Sequence, residues 1–260
     1  MTLNLAIMST SQTTPGVYFS PAGKKTYIPL ENNPSVFTDL IHRLGVSPQL
    51  SLHDVYSIDD PDLLAMVPRP VHALIFISPG DVYHRVRAED PGSKELFYDD
   101  CGESEKVMWF QQTIGNACGL IALLHSVANG SGRSYVLESS PLDKLLKAAT
   151  PLKPKERAQL LYDSEELEKA HMAVAVQGDT VAPEAAEKIG YHFISFVKGK
   201  DGHMYELEGS WGGPIDRGTL ADSEDLMSEK ALNAGVRKYI DAADGNMEFS
   251  IVALAGGGHE

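Results

Sequence analysis

Apolar residues first recur at helical spacing between Asn33 and Gly45, where Val36, Phe37, Leu40, Ile41 and Leu44 fall on one face. Asn33 suits the N-cap, Pro34 the first turn and Gly45 the stop. The next helical stretch ends at Pro68 and Pro70. The run Val71-His72-Ala73-Leu74-Ile75-Phe76-Ile77 is nearly all apolar, the pattern of a strand covered on both faces. Residues 80–106 are mostly polar, with glycines, prolines and acids, and read as a surface loop. A long apolar helix follows from Asn116 to Ala128 and stops at Asn129-Gly130. Further helices are predicted over 141–149 and 154–169, with Pro151 and Pro154 between them.

Residues 170–190, AHMAVAVQGDTVAPEAAEKIG, hold no sustained period. A long irregular segment inside a compact domain is often a lid or a binding loop, although a short helix could be hidden in it. Two strands come next, His192 to Val197 and His203 to Glu208, joined by a five-residue loop. A helix over Ser223–Asp241 and a strand over Phe249–Ala255 precede a Gly-rich tail. Residues 1–25, rich in Ser, Thr, Pro and Gly, read as an arm. The pattern predicts one α/β (α+β) domain over residues 26–260, with a central antiparallel sheet flanked by helices.

Composition narrows the partners. Thirty-six acidic residues against 22 basic ones give a formal net charge of −14. Such a surface repels nucleic acid and anionic membrane, so neither is an expected partner. No apolar run is long enough to span a bilayer, and the start lacks the basic and apolar regions of a secretory signal. Two cysteines, Cys101 and Cys118, do not make a disulfide framework. These features predict a reducing intracellular compartment.

The candidate chemistry centres on Cys118. A single cysteine in an apolar segment is more often inert packing. Here Gly115-Asn116-Ala117-Cys118-Gly119 lies where a loop turns into a helix. The unpaired N–H groups and partial positive charge of a helix start favour a thiolate and can stabilise an oxyanion. Cys101 sits in an acidic loop and is given no role. A thiol nucleophile needs a base. If Val197 faces His203 across the hairpin, paired residue numbers put His192 directly opposite Glu208, where a carboxylate could orient the imidazole. Glu206 lies on the same face and competes; Asp201 and Asp216 compete less well, being in turns. Gln112, six residues before Cys118, is the candidate oxyanion donor. His192 and His203 lack the further ligands of a metal site.

These residues resemble a known family. QQTIGNACGLIALLHSVAN resembles the nucleophile segment of the ubiquitin carboxy-terminal hydrolases, which are cysteine peptidases. YIPLENNP resembles their ubiquitin-contacting segment, and DVYSIDDPDLLAMVPRPVHALIFI their first helix–strand passage. HFISFVKGKDGHMYELEG resembles their histidine–acid hairpin and FSIVALAG their closing strand. The likeness spans about residues 26 to 255. It implies a papain-like arrangement with a knotted backbone and a loop crossing over the active site, which falls at 170–190. It implies Cys118 as nucleophile, Gln112 as oxyanion donor and His192 as general base and acid. Glu208 would be the third member, although the family usually has Asp there and this chain reads Glu206-Leu207-Glu208-Gly209. Substrate contacts would come from Pro29, Leu30, Glu31 and Asn32, and from Gln177, Gly178, Asp179 and Thr180. The resemblance implies no metal and no cofactor. It implies a monomer in the cytoplasm, or also the nucleus, acting on ubiquitin or a ubiquitin-like modifier. An acidic surface suits ubiquitin's tail, which carries arginines beside its terminal Gly-Gly.

Overall fold

The computed structural model describes residues 14–94, 96–187 and 189–256. Residues 1–13 of the expected arm and 257–260 of the tail lie outside the described residues. The described part of the arm forms a small hairpin, Tyr18–Phe19 (β1) with Lys25–Thr26 (β2). Lys25 fixes it to the domain through the Glu168 carboxylate at 2.8 Å and the Tyr162 carbonyl at 2.6 Å. Helix α1 spans Pro34–Leu44; Asn33 accepts from the Ser35 N–H, and Gly45 ends it with a left-handed φ of 97°. Strand β3 is Leu50–Asp54, α2 is a single turn at Pro61–Leu64, and β4 runs Val71–Pro79.

Residues 80–106 depart from expectation. They open with a ten-residue helix, Gly80–Glu89 (α3). Its inward face is Val82, Tyr83 and Arg87. Arg87 is 1% exposed, so the position that completes the helical stripe is a buried cation, and it read as polar in the sequence. Then come α4 (Cys118–Ala128), α5 (Pro141–Ala149), α6 (Pro154–Tyr162) and α7 (Glu165–Ala175). The single helix expected over 154–169 is therefore two. Ser164 caps α7 by accepting from the Leu167 N–H, and three glutamates occupy the first turn, which is a start signal rather than a helix interior. Because α7 continues to Ala175, the irregular segment is 176–190 rather than 170–190.

The remaining elements are β5 (Tyr191–Lys198), β6 (His203–Leu207), β7 (Ile215–Thr219), α8 (Glu229–Ala234), α9 (Arg237–Ala242) and β8 (Ser250–Gly256). The long last helix is thus two short ones. They break at Gly235, where a Cβ would meet the Met204 side chain at 2.6 Å and Phe196 at 3.1 Å. The chain can approach the sheet this closely only without a side chain.

Six strands form one antiparallel sheet in the order β3-β8-β4-β5-β6-β7. Both faces are covered, which explains the unbroken apolar run in β4. Ala73 and Ile75 point to the layer of α1, α4, α5 and α7, while Leu74 and Phe76 point to the layer of α3, α8 and α9. Among the described residues no helix is long and apolar enough to cross a membrane.

Candidate active site

Cys118 is the first residue of α4, and the helix has no side-chain cap. Asn116 holds the turn before it in the left-handed region, at φ 55°, which asparagine tolerates better than most residues. Its side-chain amide donates to the carbonyls of Ala185 and Glu187 at 3.1 and 3.0 Å, tying the nucleophile loop to the irregular segment 176–190. The half-buried thiol receives the backbone N–H groups of Gly119, Phe193 and Cys118 itself. These favour the thiolate, as a helix start should. Burial, with the nearby Glu208 charge, outweighs them and pushes the thiol up to about 11.

His192 lies in β5, next to the residue whose N–H points at that sulfur. The hairpin register differs from the expected one. Ser195 faces Leu207 and Val197 faces Tyr205, so the pairing is shifted by two residues and the ladder ends before His192. A shift of two keeps every side chain on its face, so His192 and Glu208 still share one side, diagonally rather than directly opposed. Burial holds the imidazole below its usual value; the Glu208 charge acts in the opposite direction and His84 adds to the lowering.

The Glu208 carboxylate is 2% exposed and is held by Tyr83 and Ser210. The Tyr83 hydroxyl donates at 3.0 Å, the Ser210 hydroxyl at 2.7 Å and the Ser210 N–H at 3.0 Å. Among the described residues no hydrogen bond joins His192 to Glu208 or to Cys118. The base–acid pair is coupled through charge in this resting arrangement. The competing acids are committed elsewhere. Glu206 is buried among Arg87, Arg217, Lys238 and Tyr239. Asp216 pairs with His203 at 2.8 Å, and Asp201 accepts from Tyr205 at 2.8 Å. Among the described residues no group of three or more His, Cys, Asp or Glu could hold a metal ion.

Gln112 sits beside the end of this hairpin. Its backbone N–H donates to Gly209 at 2.8 Å, and its side-chain amide to the Ile114 carbonyl at 3.1 Å. A Cβ on Gly209 would lie 2.9 Å from Gln112 Cβ and 2.8 Å from Ile121, so the glycine after Glu208 lets the two loops meet. The residues expected to contact substrate come together too. Pro29, Leu30, Glu31, Asn32, Gln177 and Thr180 line one cleft of about 310 Å³ that also reaches Tyr191. Glu31 accepts from the N–H groups of Asp179 and Thr180 and from the Thr180 hydroxyl, so the segment near the start clamps the irregular segment. Gly178 lies against the same carboxylate. Leu30 differs from the others. It is 5% exposed and packs over Gly119, which makes it a support for the helix start. Two residues were missed in the sequence, Tyr83 and His84, because α3 was read as loop. The apolar and aromatic positions 82, 83 and 86 were the available signal.

The family model for ubiquitin carboxyl-terminal hydrolase, family 1, matches residues 27–241. The chain belongs to that family. Ubiquitin carboxyl-terminal hydrolase 3 of Arabidopsis thaliana is 34% identical over 235 residues, covering 90% of this chain and 96% of its own length. The ubiquitin carboxyl-terminal hydrolase of Drosophila melanogaster is 37% identical over 231 residues, 88% of this chain and 97% of its own. As a family 1 hydrolase the chain is a cysteine-type thiol peptidase. Its fold matches that of the UCH37 catalytic domain of Trichinella spiralis, solved bound to ubiquitin vinyl methyl ester. The TM-score is 0.66 at 23% identity, over 88% of this chain and 94% of that one. The papain-like sheet-and-helix arrangement of the family is the one seen here.

Proposed function

We propose that this family 1 hydrolase releases small adducts or short peptides from the C-terminal glycine of ubiquitin. The observation that supports this best is the convergence of Cys118, His192 and Glu208 at one end of the sheet, where the Glu208 charge acts on both the thiol and the imidazole. Cys118 attacks the glycine carbonyl after His192 takes the thiol proton. The Cys118 N–H and the Gln112 amide receive the oxyanion, the amide having a second N–H beside the one it gives to the Ile114 carbonyl. His192 then protonates the leaving group, and afterwards activates the water that cleaves the thioester. Glu208 stabilises the imidazolium formed in both steps. The segment 176–190, tied at Glu31 and at Asn116, limits the size of the leaving group. The protein acts as a monomer in a reducing compartment, the cytoplasm or nucleus, where its two free cysteines persist.

Ubiquitin carrying a C-terminal thiol-reactive electrophile tests the assignment. One adduct on Cys118, lost in Cys118→Ala, is expected; an adduct on Cys101 that survives that substitution refutes it. A second reading has a specific basis. The raised thiol and the lack, among the described residues, of a direct His192–Glu208 hydrogen bond would also suit a ubiquitin-binding protein with weak turnover. That reading requires tight binding with hydrolysis of a fluorogenic ubiquitin amide near background. Parallel assays with the tail of a ubiquitin-like modifier determine which modifier is preferred.

A further inference from the structure

Tyr83 touches both partners of the thiol, yet neither the family likeness nor the sequence pattern pointed to it. It is fully buried in α3. Its ring stacks on the His192 imidazole, with centroids 4.5 Å apart and planes 21° from parallel. Its hydroxyl donates to Glu208 at 3.0 Å. The ring is itself held: Tyr239 lies parallel to it at 6.3 Å, Trp211 meets it edge-on at 6.3 Å, and the Arg87 guanidinium sits 5.8 Å from its centroid. The next residue, His84, meets the imidazole edge-on at 5.0 Å. Helix α3 is anchored to the strand that carries His192, because the Gly80 N–H donates to the Gly190 carbonyl at 2.8 Å.

We propose that Tyr83 is a positioning residue, fixing the plane of His192 with its ring and the place of the Glu208 carboxylate with its hydroxyl. The proposal rests on the assignment of Cys118, His192 and Glu208 made above. A triad carboxylate ordinarily orients its imidazole through a direct hydrogen bond. Here that bond is missing among the described residues, while one side chain contacts both groups. A stacked ring opposes rotation about the histidine Cβ–Cγ bond and so holds the plane in which the imidazole must meet both the thiol and the leaving group. The hydroxyl keeps the carboxylate within range of the cation that forms. This also accounts for how a glutamate can serve at this position: its longer side chain is fixed at its far end by Tyr83 and Ser210.

The test is steady-state hydrolysis of a fluorogenic ubiquitin amide by the full chain, well below its unfolding temperature, for wild type, Tyr83→Phe and Tyr83→Leu. His192→Ala and Cys118→Ala serve as references. Tyr83→Phe keeps the stack and loses the hydroxyl, so kcat should fall about tenfold with KM unchanged. The acid limb of its pH profile should move to lower pH, because a looser carboxylate supports the imidazolium less. Tyr83→Leu loses both contacts and should cost about a hundredfold in kcat. Should the leucine variant not fold, Tyr83→Phe decides alone. Wild-type kcat and an unmoved acid limb in Tyr83→Phe would overturn the proposal, as would a rise in kcat, which would mean that the hydroxyl restrains Glu208. A loss confined to KM would also overturn it. Turnover that survives Cys118→Ala would refute the underlying assignment, and the role of Tyr83 with it; inactive reference variants beside an unaffected Tyr83→Phe would refute only that role.

Discussion

The balance of forces on single side chains sets the working state of the site. Burial pushes the Cys118 thiol up to about 11 and holds His192 below its ordinary value. The rate should therefore rise through the lowered His192 value and hold a broad plateau before falling on the alkaline side, as measured by kcat/KM against pH. His84 provides a signed test. When protonated it opposes a second positive charge on His192. Replacing it, as in His84→Gln, removes that opposition and raises the His192 value. More imidazole is then protonated in mild acid, so the acid limb should move to higher pH with the plateau retained. Glu208→Gln should keep the shape but lose the charge. It is expected to lower kcat on the order of a hundredfold or more, measured with a ubiquitin amide, while adduct formation at Cys118 persists.

At the scale of elements, the site depends on how loops are tied to regular structure. Asn116 connects the turn before α4 to two carbonyls of the segment 176–190. Asn116→Ala should leave the unfolding temperature nearly unchanged and quicken limited proteolysis within 176–190, detected by mass spectrometry of the fragments. Gly209 lets the hairpin end meet the Gln112 loop, with three atoms 2.8 to 3.0 Å from a hypothetical Cβ. Gly209→Ala should cost about 1–3 kcal/mol in urea unfolding and lower kcat as Gln112 is displaced. Helix α3 shows why this level was only partly legible. Its buried face is completed by Arg87, whose guanidinium lies over Trp211 and bonds Glu206, so a polar letter stands at a core position. Pattern reading assumes that charge means solvent, and here the charge is paired inside.

For the molecule as a whole, the face of the sheet behind the site is built on a buried ion cluster. Glu206 accepts from Arg87 at 3.1 Å, Arg217 at 2.7 Å and Lys238 at 2.6 Å, and also from Tyr239; Asp90 joins through Arg217. Although burial alone would raise it, the surrounding cations hold Glu206 down at about 2. Because the folded value is depressed, its stabilisation is full above the ordinary glutamate value of 4.5 and disappears as pH falls toward 2. The loss should be on the order of 3 kcal/mol, read as the difference between urea unfolding at neutral pH and near pH 2.5. Glu206→Gln should cost about 3–5 kcal/mol at neutral pH, because it leaves three cations with little compensation.

Local information was enough for much of this. The caps Asn33 and Gly45, the apolar run of β4 and the Cys118 helix start were all readable from residue type and spacing. These depend on backbone preference and burial period, which short stretches of chain carry by themselves. Three matters were decided only by the tertiary structure. The hairpin register moved by two because the turn is tighter than loop counting assumed: Lys198 faces Met204 and the Gly199 N–H donates to the His203 carbonyl at 2.7 Å. Burial by groups distant in sequence raises the Cys118 thiol against the pull of its helix start. The imidazole is placed by Tyr83, which is 109 residues away in the chain and adjacent only after the sheet has formed. Spacing fixes what a segment can become; what surrounds a charge or a ring is a sum over the whole fold.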